Sequence, residues 1–382
     1  MRVDVVIVGA GIGGAVLALD LGRRGWRVAL VERESAPPKI ARPEILWSTT
    51  TDALDRYGVA EAIRERASVK LEAIEIGGEK PWLRITREDF DAAGIDAFST
   101  NPSLTRALLA EAAVATGNVE VHRGVAVEEL LRENGRVAGI RGKELVLEAQ
   151  LVVGDDGGNS IVRTQLGIPI ALTPFPIEFV TAMIPEWTLP PSRARVWIDG
   201  SGAKAFIPWP GGEGILLIPL PADRPTPEGH DYKRIARPFG HAPSYVADGA
   251  ALIGDAIHPM TPAGGQGANA SIWDALALAD VADAALRAGD VSRERLLVYE
   301  RLRRPNNERS VAISRLARRA FRTGRYLPLT FVASSVMRTI NALGWPKRRI
   351  IRTFASTFVT REKPTSASPP QSKRHHPPGG VP

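Results

Sequence analysis

The stretch VDVVIVGAGIGG, residues 3–14, joins an apolar, β-branched run to a glycine-rich turn. Runs such as Val5 to Val8 are typical of buried parallel strands, and Gly9, Gly11 and Gly14 have the spacing G-x-G-x-x-G. In that motif the first glycine permits a tight turn and the second lets a pyrophosphate approach the backbone. The third lets the following helix lie close to the strand. The stretch therefore predicts a strand, a phosphate-binding turn and a helix.

The residues after the turn complete a unit that binds dinucleotides. A helix is predicted from about Gly13 to Arg24, and its N-terminal N–H groups and positive dipole end would attract phosphate. A second apolar strand follows and ends at Glu32, whose carboxylate can accept hydrogen bonds from a ribose diol. We therefore predict dinucleotide binding. The competing interpretation is a glycine-rich turn in an ordinary α/β protein.

The composition is that of a globular protein. The 382 residues, 44% of them hydrophobic, predict two or three domains, and no apolar run is long enough for a transmembrane helix. The sequence has no cysteine, which excludes disulfides and a cysteine nucleophile and favours a cytoplasmic location. The sequence has no cysteine and no cluster of carboxylates near its histidines, so we predict no metal site.

The positive charge is concentrated near the C-terminus. Residues 301–361 hold fifteen Lys and Arg and one acid, Glu308, whereas the net charge of the whole chain is +7. A nucleic-acid partner is therefore not predicted. Two interpretations of this segment stay open: a solvated basic helical segment packed on the rest of the protein, or peripheral contact with the inner, anionic face of a membrane. Residues 362–382 are predicted to be a disordered tail.

Two later stretches repeat the pattern of a buried strand that ends in an acidic, glycine-flanked turn. The first runs from Leu151 through Asp156 and Gly157 into a helix near Ser160, and we expect Asp155 to be a solvated turn residue. The second strand delivers Asp255, and a helix is predicted from about residue 268 to residue 288. Open α/β sheets bind ligands at the carboxyl ends of such strands.

The region between these stretches has a different character. Residues 164–247 are rich in proline and in strand-like pieces, which predicts a mostly antiparallel substrate sheet. Within it Trp197, Phe206 and Trp209 are candidates for an aromatic pocket. The competing interpretation is that these aromatic side chains belong to the core.

Three motifs, taken in order, resemble the single-component flavin monooxygenases of the para-hydroxybenzoate hydroxylase type. The chain looks closest to the ubiquinone-biosynthesis and quinolone hydroxylase branch. The motifs are G-x-G-x-x-G with Glu32, then Gly154-x-Asp156-Gly157-x-x-Ser160-x-x-Arg163, then Gly254-Asp255-Ala256-x-His258 continuing through Pro262 to Asn269. The resemblance spans roughly residues 3–305.

The resemblance implies a set of FAD contacts. Glu32 would hold the ADP half, Arg42 would lie near the pyrophosphate and flavin, Asp255 would bond the ribityl chain, and Pro262 would lie along the isoalloxazine. Backbone N–H groups at the start of the helix near Ala268 suit the negative charge of reduced flavin. The full set is Gly9, Gly11, Ile12, Gly13, Gly14, Glu32, Arg33, Arg42, Asn101, Val127, Asp156, Gly157, Gly254, Asp255, Pro262, Gly265, Gly267, Ala268 and Asn269.

Some features of the resemblance limit what it predicts. Asn101 stands where many members have an arginine, and the chain between Leu220 and Ala250 is shorter than usual for the family. Part of the usual cover of the substrate pocket would therefore be missing. His258 lies in a motif where a histidine packs beside the cofactor loop, and no catalytic residue is assigned.

The predicted fold class is α/β, with α+β character in the substrate region. A Rossmann-like FAD-binding domain (1–70, 101–163, 248–300) would be interleaved with a mostly antiparallel substrate sheet (71–100, 164–247). A helical segment, 301–361, would follow.

The resemblance implies an FAD-dependent monooxygenase of secondary metabolism. NADH or NADPH would bind transiently and reduce FAD, O₂ would form a C4a-hydroperoxyflavin, and an aromatic or electron-rich, lipophilic small molecule would be hydroxylated or epoxidised. Two alternatives stay open: a flavin-dependent double-bond reductase of the same fold, and a membrane-surface flavoprotein with decayed activity.

Overall fold

The computed structural model describes residues 1–36, 44–175, 177–185, 189–199, 202–236, 238–262, 265–322 and 326–359, without the side chains of 199, 202, 203 and 317–333. The predicted FAD contact Arg42 and the predicted tail 362–382 lie outside these ranges.

A six-stranded sheet forms the centre of the molecule. Its order is β18 (Val246–Ala247), β19 (Ala250–Leu252), β12 (Leu151–Gly154), β1 (Val5–Val8), β2 (Val28–Glu32) and β8 (Val119–Arg123). All neighbours are parallel except β18, which pairs antiparallel with β19. Because β1, β12 and β19 are buried along their whole length, they are uniformly apolar rather than alternating. The carboxyl ends of β1, β2, β12 and β19 therefore meet at one edge.

Helices pack around the two larger sheets and complete the two hydrophobic core clusters. The shorter ones are α2 (Ser48–Thr51), α3 (Ala60–Arg66), α4 (Arg87–Ala93) and α6 (Ile161–Gln165). The longer ones are α1 (Ile12–Arg23), α5 (Pro102–Val114), α7 (Gly267–Arg287), α8 (Arg293–Arg322), α9 (Tyr326–Leu343) and α10 (Trp345–Ser356). Short 3₁₀ turns span Asp52–Tyr57 and Gly254–Ala256.

A seven-stranded sheet lies beside the first. Its order is β17 (Lys233–Ile235), β13 (Ile177–Ile184), β16 (Gly214–Pro221), β15 (Gly202–Pro208), β14 (Arg193–Asp199), β5 (Ala73–Gly77) and β6 (Pro81–Thr86). Only β14 and β5 pair in parallel. Two three-stranded antiparallel sheets complete the fold: β3 (Glu44–Trp47), β7 (Ala97–Thr100) and β4 (Ser68–Lys70), and β11 (Val146–Glu148), β10 (Arg136–Gly142) and β9 (Val127–Glu133).

The two faces of the seven-stranded sheet differ in chemistry, because directly paired residues share a face and successive residues alternate. One row across the sheet is Leu83, Ile76, Val196, Ala205, Leu217 and Thr181. The next row is Arg84, Glu75, Arg195, Phe206, Leu216 and Ala182. Ile74, Ile85 and Ala194 lie on the first, apolar face and belong to the core cluster that contains Trp47 and Met260. The second face carries the charge: buried Glu75 pairs with Arg84 at 2.9 Å and with Arg195 at 3.4 Å.

The C-terminal helices close one edge of the seven-stranded sheet. The N–H of Arg84, on edge strand β6, donates to the Asn341 side chain of α9 at 2.9 Å. Lys347 at the start of α10 donates to Asp89 at 2.7 Å. A sheet edge is thereby covered that would otherwise offer unpaired backbone groups. None of the helices in the described parts of the chain has the length and apolar character that spanning a membrane requires.

Candidate functional site

The glycine-rich turn joins β1 to α1 as the sequence predicts. Gly9 adopts a φ of +102°, and its N–H donates to Val31 O of the neighbouring strand at 2.7 Å. A β-carbon placed on Gly14 would collide with Gly9 O and lie 3.2 Å from the Ile7 side chain, so this glycine permits the close approach of helix and strand. A β-carbon on Gly11 would collide with the Asp155 carboxylate.

Glu32 ends β2 beside this turn. One carboxylate oxygen accepts a hydrogen bond from Ala10 N–H at 3.0 Å, and the other accepts one from Glu34 N–H at 3.0 Å. Each oxygen has a second lone pair, so the carboxylate can still accept hydrogen bonds from a ribose diol.

A cavity of about 730 Å³ opens at the carboxyl ends of the parallel strands. It extends from Glu32 past the N-terminus of α1 to the loop that precedes α7. Of the predicted cofactor residues, it is lined by Gly9, Gly11, Ile12, Glu32, Arg33, Val127, Asp156, Gly157, Asp255, Pro262, Gly265, Gly267 and Ala268. The three motifs, far apart in sequence, thus meet at one cavity.

Other predicted residues support the cavity from behind instead of lining it. Gly13 is buried in the first turn of α1, where a β-carbon would collide with Ser271 of α7. Asn269 is fully buried; its amide donates to Ile45 O at 2.7 Å and to Gly265 O at 2.9 Å, and both acceptors belong to cavity-lining residues. Gly254 donates its N–H to buried Asp274 at 3.2 Å. These residues fix the positions of loops that line the cavity.

Asn101 has a different role from the one that the resemblance implies. Its side-chain oxygen caps α5 by accepting from Ser103 N–H at 3.0 Å and Leu104 N–H at 3.1 Å, and Asn101 does not line the cavity. Arg106 of the same helix does line it, and its guanidinium lies 3.7 Å from Glu44. Nε of Arg106 is buried and has no hydrogen-bond partner among the described residues.

Arg106 is not among the predicted cofactor residues, although the sequence contains a signal for it. Ser103, Arg106, Ala107 and Ala110 all line the cavity and repeat at the helical spacing of i, i+3, i+4 and i+7. Their small or polar character marks a face of α5 that differs from the apolar face containing Leu108. A helix of this composition beside a phosphate turn indicates a ligand-facing side.

Asp155 is partly buried and bonded to the start of α1, whereas the sequence predicts a solvated turn residue. It lines the cavity, and its carboxylate accepts a hydrogen bond from Gly14 N–H at 2.7 Å. The next residue, Asp156, accepts from Val162 N–H at 3.1 Å and so also anchors the start of α6. Burial raises the pKa of both carboxyl groups, that of Asp155 well above its usual range. The turn therefore brings two carboxylates to the cavity where one was predicted.

A buried ion pair lies behind the loop that precedes α7. Oδ1 of Asp274 accepts from Arg303 Nε at 2.7 Å and from the Asn307 amide at 3.0 Å, and Oδ2 lies 2.5 Å from His258 Nε2. All four side chains are fully buried. Burial alone would raise the pKa of Asp274, but His258 and Arg303 outweigh it and hold that pKa well below the usual range. His258 does not line the cavity, so it positions this loop rather than reaching a ligand.

The predicted aromatic pocket is not part of the cavity. Trp197 and Phe206 lie on the charged face of the seven-stranded sheet, where the Arg195 guanidinium stacks 4.5 Å from the Trp197 ring. Trp209 is buried in the turn after β15, and its N–H donates to Glu213 O at 2.9 Å. Strand register, which sets which face a side chain occupies, is not visible in the local sequence.

The geometry fits the ADP half of a flavin dinucleotide. The cavity volume is in the range of about 300–1,000 Å³ that ligand sites occupy. One end offers a carboxylate to a ribose, and the middle offers the N-terminus of α1 to a diphosphate. The far end offers the N-terminus of the 21-residue helix α7, the arrangement expected for an anionic ring edge.

Comparisons with known proteins agree with this geometry. Residues 2–237 and 239–314 match the family described as FAD binding domain. Rifampicin monooxygenase of Streptomyces venezuelae is 30% identical over 308 residues, which cover 72% of this chain and 63% of that protein. Ubiquinone hydroxylase UbiL of Rhodospirillum rubrum is 26% identical, over 94% of this chain and 91% of its own length. The chain thus spans less than two thirds of the first relative and most of the second.

A solved structure extends the agreement to the fold. PqsL of Pseudomonas aeruginosa, in complex with 2-aminobenzoylacetate, superposes with a TM-score of 0.76 at 26% identity and covers 87% of this chain and 99% of its own. The predicted fold class is confirmed by this match and by the sheet topology.

Proposed function

The chain belongs to the FAD-binding-domain family of FAD-dependent monooxygenases, and from that membership we propose that it uses NADH or NADPH and O₂ to hydroxylate or epoxidise an aromatic or electron-rich apolar small molecule. The observation that carries the proposal is the cavity that is lined jointly by the phosphate turn, Glu32, Asp156, Pro262 and the segment Gly265–Ala268. Relatives include proteins named for rifampicin and for ubiquinone, which supports an apolar or aromatic substrate.

We assign the cofactor to this cavity residue by residue. Glu32 would hold the adenosine ribose, Gly11 and Ile12 the diphosphate, and Asp255 the ribityl chain. Gly265 to Ala268 would face the isoalloxazine, where N–H groups at the start of α7 stabilise negative charge. When bound, FAD supplies the redox and oxygen chemistry. The chain's own residues bind it, orient it and exclude water.

The substrate side of the proposal rests on the apolar face of the seven-stranded sheet. Ile76, Val196 and Leu217 on this face are half-buried, and the face shares a core cluster with Met260, which also lines the cofactor cavity. The arginines of the same sheet lie on the opposite face, and Lys233, which shares the apolar face, lies on edge strand β17 and pairs with Asp231 at 3.0 Å. An uncharged, lipophilic substrate is therefore favoured over an anionic one.

The test of the proposed activity is a balance of reductant, oxygen and product. Purified protein with FAD is mixed anaerobically with NADH or NADPH, and flavin bleaching is followed by its absorbance. The reduced protein is then exposed to ¹⁸O₂ with candidate aromatic and polyene substrates. We expect NADH or NADPH to bleach the flavin absorbance. The product should carry one ¹⁸O atom.

The outcome separates the alternatives. A product reduced at a double bond without ¹⁸O would replace the monooxygenase by a reductase of the same fold. Oxidation of NADH or NADPH at a rate that no candidate substrate increases would favour a flavoprotein with decayed activity. Absence of bound flavin would contradict the assignment of the cavity itself.

We also propose a peripheral membrane contact at the junction of α9 and α10. Leu343 at the end of α9 and Trp345 at the start of α10 are 55% and 58% exposed. Val336, two turns before Leu343 on the same face of α9, is 52% exposed, and Arg348 and Arg349 are exposed on the same face of α10 as Trp345. We call these five residues the corner patch. An interfacial tryptophan flanked by arginines suits an anionic lipid surface.

The corner patch predicts salt-sensitive binding to anionic vesicles. We expect sedimentation with phosphatidylglycerol vesicles and not with phosphatidylcholine vesicles. Replacing both Arg348 and Arg349 by Glu should weaken that binding by at least about tenfold, because each basic residue contributes about 1 kcal/mol near such a surface. Val298→Glu, at a 46% exposed position on α8 outside the patch, is the control and should bind as the wild type does. Equal binding by all variants would reject the patch.

A further inference from the structure

A carboxylate of the protein lies at the point where α1 begins. Oδ2 of Asp155 accepts a hydrogen bond from Gly14 N–H at 2.7 Å, and a β-carbon on Gly11 would collide with the same oxygen. Both glycines belong to the turn whose N–H groups would receive a diphosphate. Asp155 therefore brings negative charge to the helix end that favours anions.

Charged and titratable groups face Asp155 from the elements around it. Asp156 is next in the turn, Asp255 follows β19, Arg106 comes from α5 and Tyr299 from α8. Burial raises the pKa of Asp155 well above its usual range; its backbone hydrogen bond and Arg106 lower it, and the two neighbouring carboxylates raise it further. The Arg106 guanidinium, which also lies 3.7 Å from Glu44, thus acts on Asp155 against the two neighbouring carboxylates.

We propose that Asp155 is an internal competitor of the cofactor's diphosphate, both for the N-terminus of α1 and for the positive charge of Arg106. The inference rests on the proposed function, because it takes the diphosphate to be that of FAD. As the diphosphate enters, its charge adds to those of Asp156 and Asp255. The Asp155 carboxylate then takes up one proton from solvent and becomes a neutral carboxyl group, and this O–H bond is the only covalent change.

Because a proton is taken up on binding, the affinity for the cofactor depends on pH. The pKa of Asp155 is already raised in the free protein, and a bound diphosphate raises it again. Between these two pKa values each bound cofactor takes up one proton, so the dissociation constant rises by up to about tenfold per pH unit. At pH values below the pKa that Asp155 has in the flavin-free protein, the affinity for the cofactor no longer changes with pH. Wild-type protein therefore binds FAD more weakly as the pH rises.

The test compares FAD, ADP and adenosine on the full chain freed of flavin. We expect Asp155→Asn and Asp155→Ala to bind FAD and ADP about tenfold more tightly than the wild type at about pH 8, with a flat pH profile. Adenosine has no diphosphate and should bind all three proteins alike. Calorimetry in buffers of different ionisation enthalpy should detect proton uptake in the wild type and none in the variants.

A remote charge change is the control. Glu61→Gln removes one negative charge from an exposed position on α3 outside the cavity, and we expect wild-type affinity and pH profile. Weaker FAD binding by Asp155→Asn, or a pH profile equal to that of the wild type, would overturn the inference and leave Asp155 as a support of the turn. If the wild type binds neither FAD nor ADP, the proposed function fails and this inference fails with it.

Discussion

Gly11→Val is expected to abolish stoichiometric FAD binding. The new side chain would occupy the approach of the diphosphate to the turn and collide with the Asp155 carboxylate. Gly11→Ala is milder, and overpacking of about 1–3 kcal/mol corresponds to a loss of roughly 5- to 150-fold in affinity. Flavin absorbance of the purified protein and a fluorescence titration of the flavin-free chain measure both effects.

Two further variants separate the causes of this loss. Gly78→Ala places a methyl group in the turn between β5 and β6, where its nearest neighbour would be Ile198 O at 3.4 Å, and it should bind FAD normally. The double variant Gly11→Ala with Asp155→Ala should recover part of the lost affinity, because the protein's own obstacle is removed. Retention of stoichiometric flavin by Gly11→Val would refute the phosphate turn.

Arg303→Met is expected to lower the free energy of unfolding by about 3–5 kcal/mol, the usual effect of breaking a buried ion pair. The substitution leaves Asp274 buried without its guanidinium partner and removes donors to Phe358 O and Asn307. Urea denaturation of the flavin-free protein, followed by circular dichroism, measures the change. Asp274→Asn should cost a similar amount, because it leaves the Arg303 charge unpaired.

The matched control is an exposed pair. Arg287 is 60% exposed and contacts Asp283 at 3.0 Å, so Arg287→Met should cost less than about 1 kcal/mol. If Arg303→Met lowered the free energy of unfolding no more than Arg287→Met does, the buried ion pair of Arg303 and Asp274 would not stabilise the fold as we infer.

The local motifs could be predicted because their physics is local. A strand, a turn that only glycine permits and a helix need no distant partner to be recognised, and α1 and α7 begin within one residue of the prediction. The relative order of the three motifs then indicated a shared cavity, because parallel strands bring their carboxyl ends to one edge.

Side-chain direction could not be predicted in the same way. Asp155 and Asp156 are adjacent in sequence, yet one bonds to α1 and the other to α6, and only the assembled sheet determines which does which. Trp197 and Phe206 reach the charged face because β14 pairs with β5, more than a hundred residues away. A local pattern gives alternation but not which face is apolar.

The burial of the Arg303 charge could not be predicted, for a related reason. Arg303 lies near the start of the basic segment 301–361, whose composition indicates a solvated surface, but its partners Asp274 and Phe358 are distant in sequence. A basic segment can therefore contain a core residue whose environment depends on contacts that composition does not express.

The bond from Arg303 to Phe358 O also bears on biosynthesis. A ribosome delivers the chain from its N-terminus, so the residues of the cofactor cavity emerge well before Phe358 does. Until then the Arg303 guanidinium lacks one of its acceptors. The loop before α7, which Asp274 and His258 position, then has an incomplete hydrogen-bond network behind it. The nascent protein should therefore reach its full affinity for flavin only after α10 and Phe358 have emerged from the ribosome and packed.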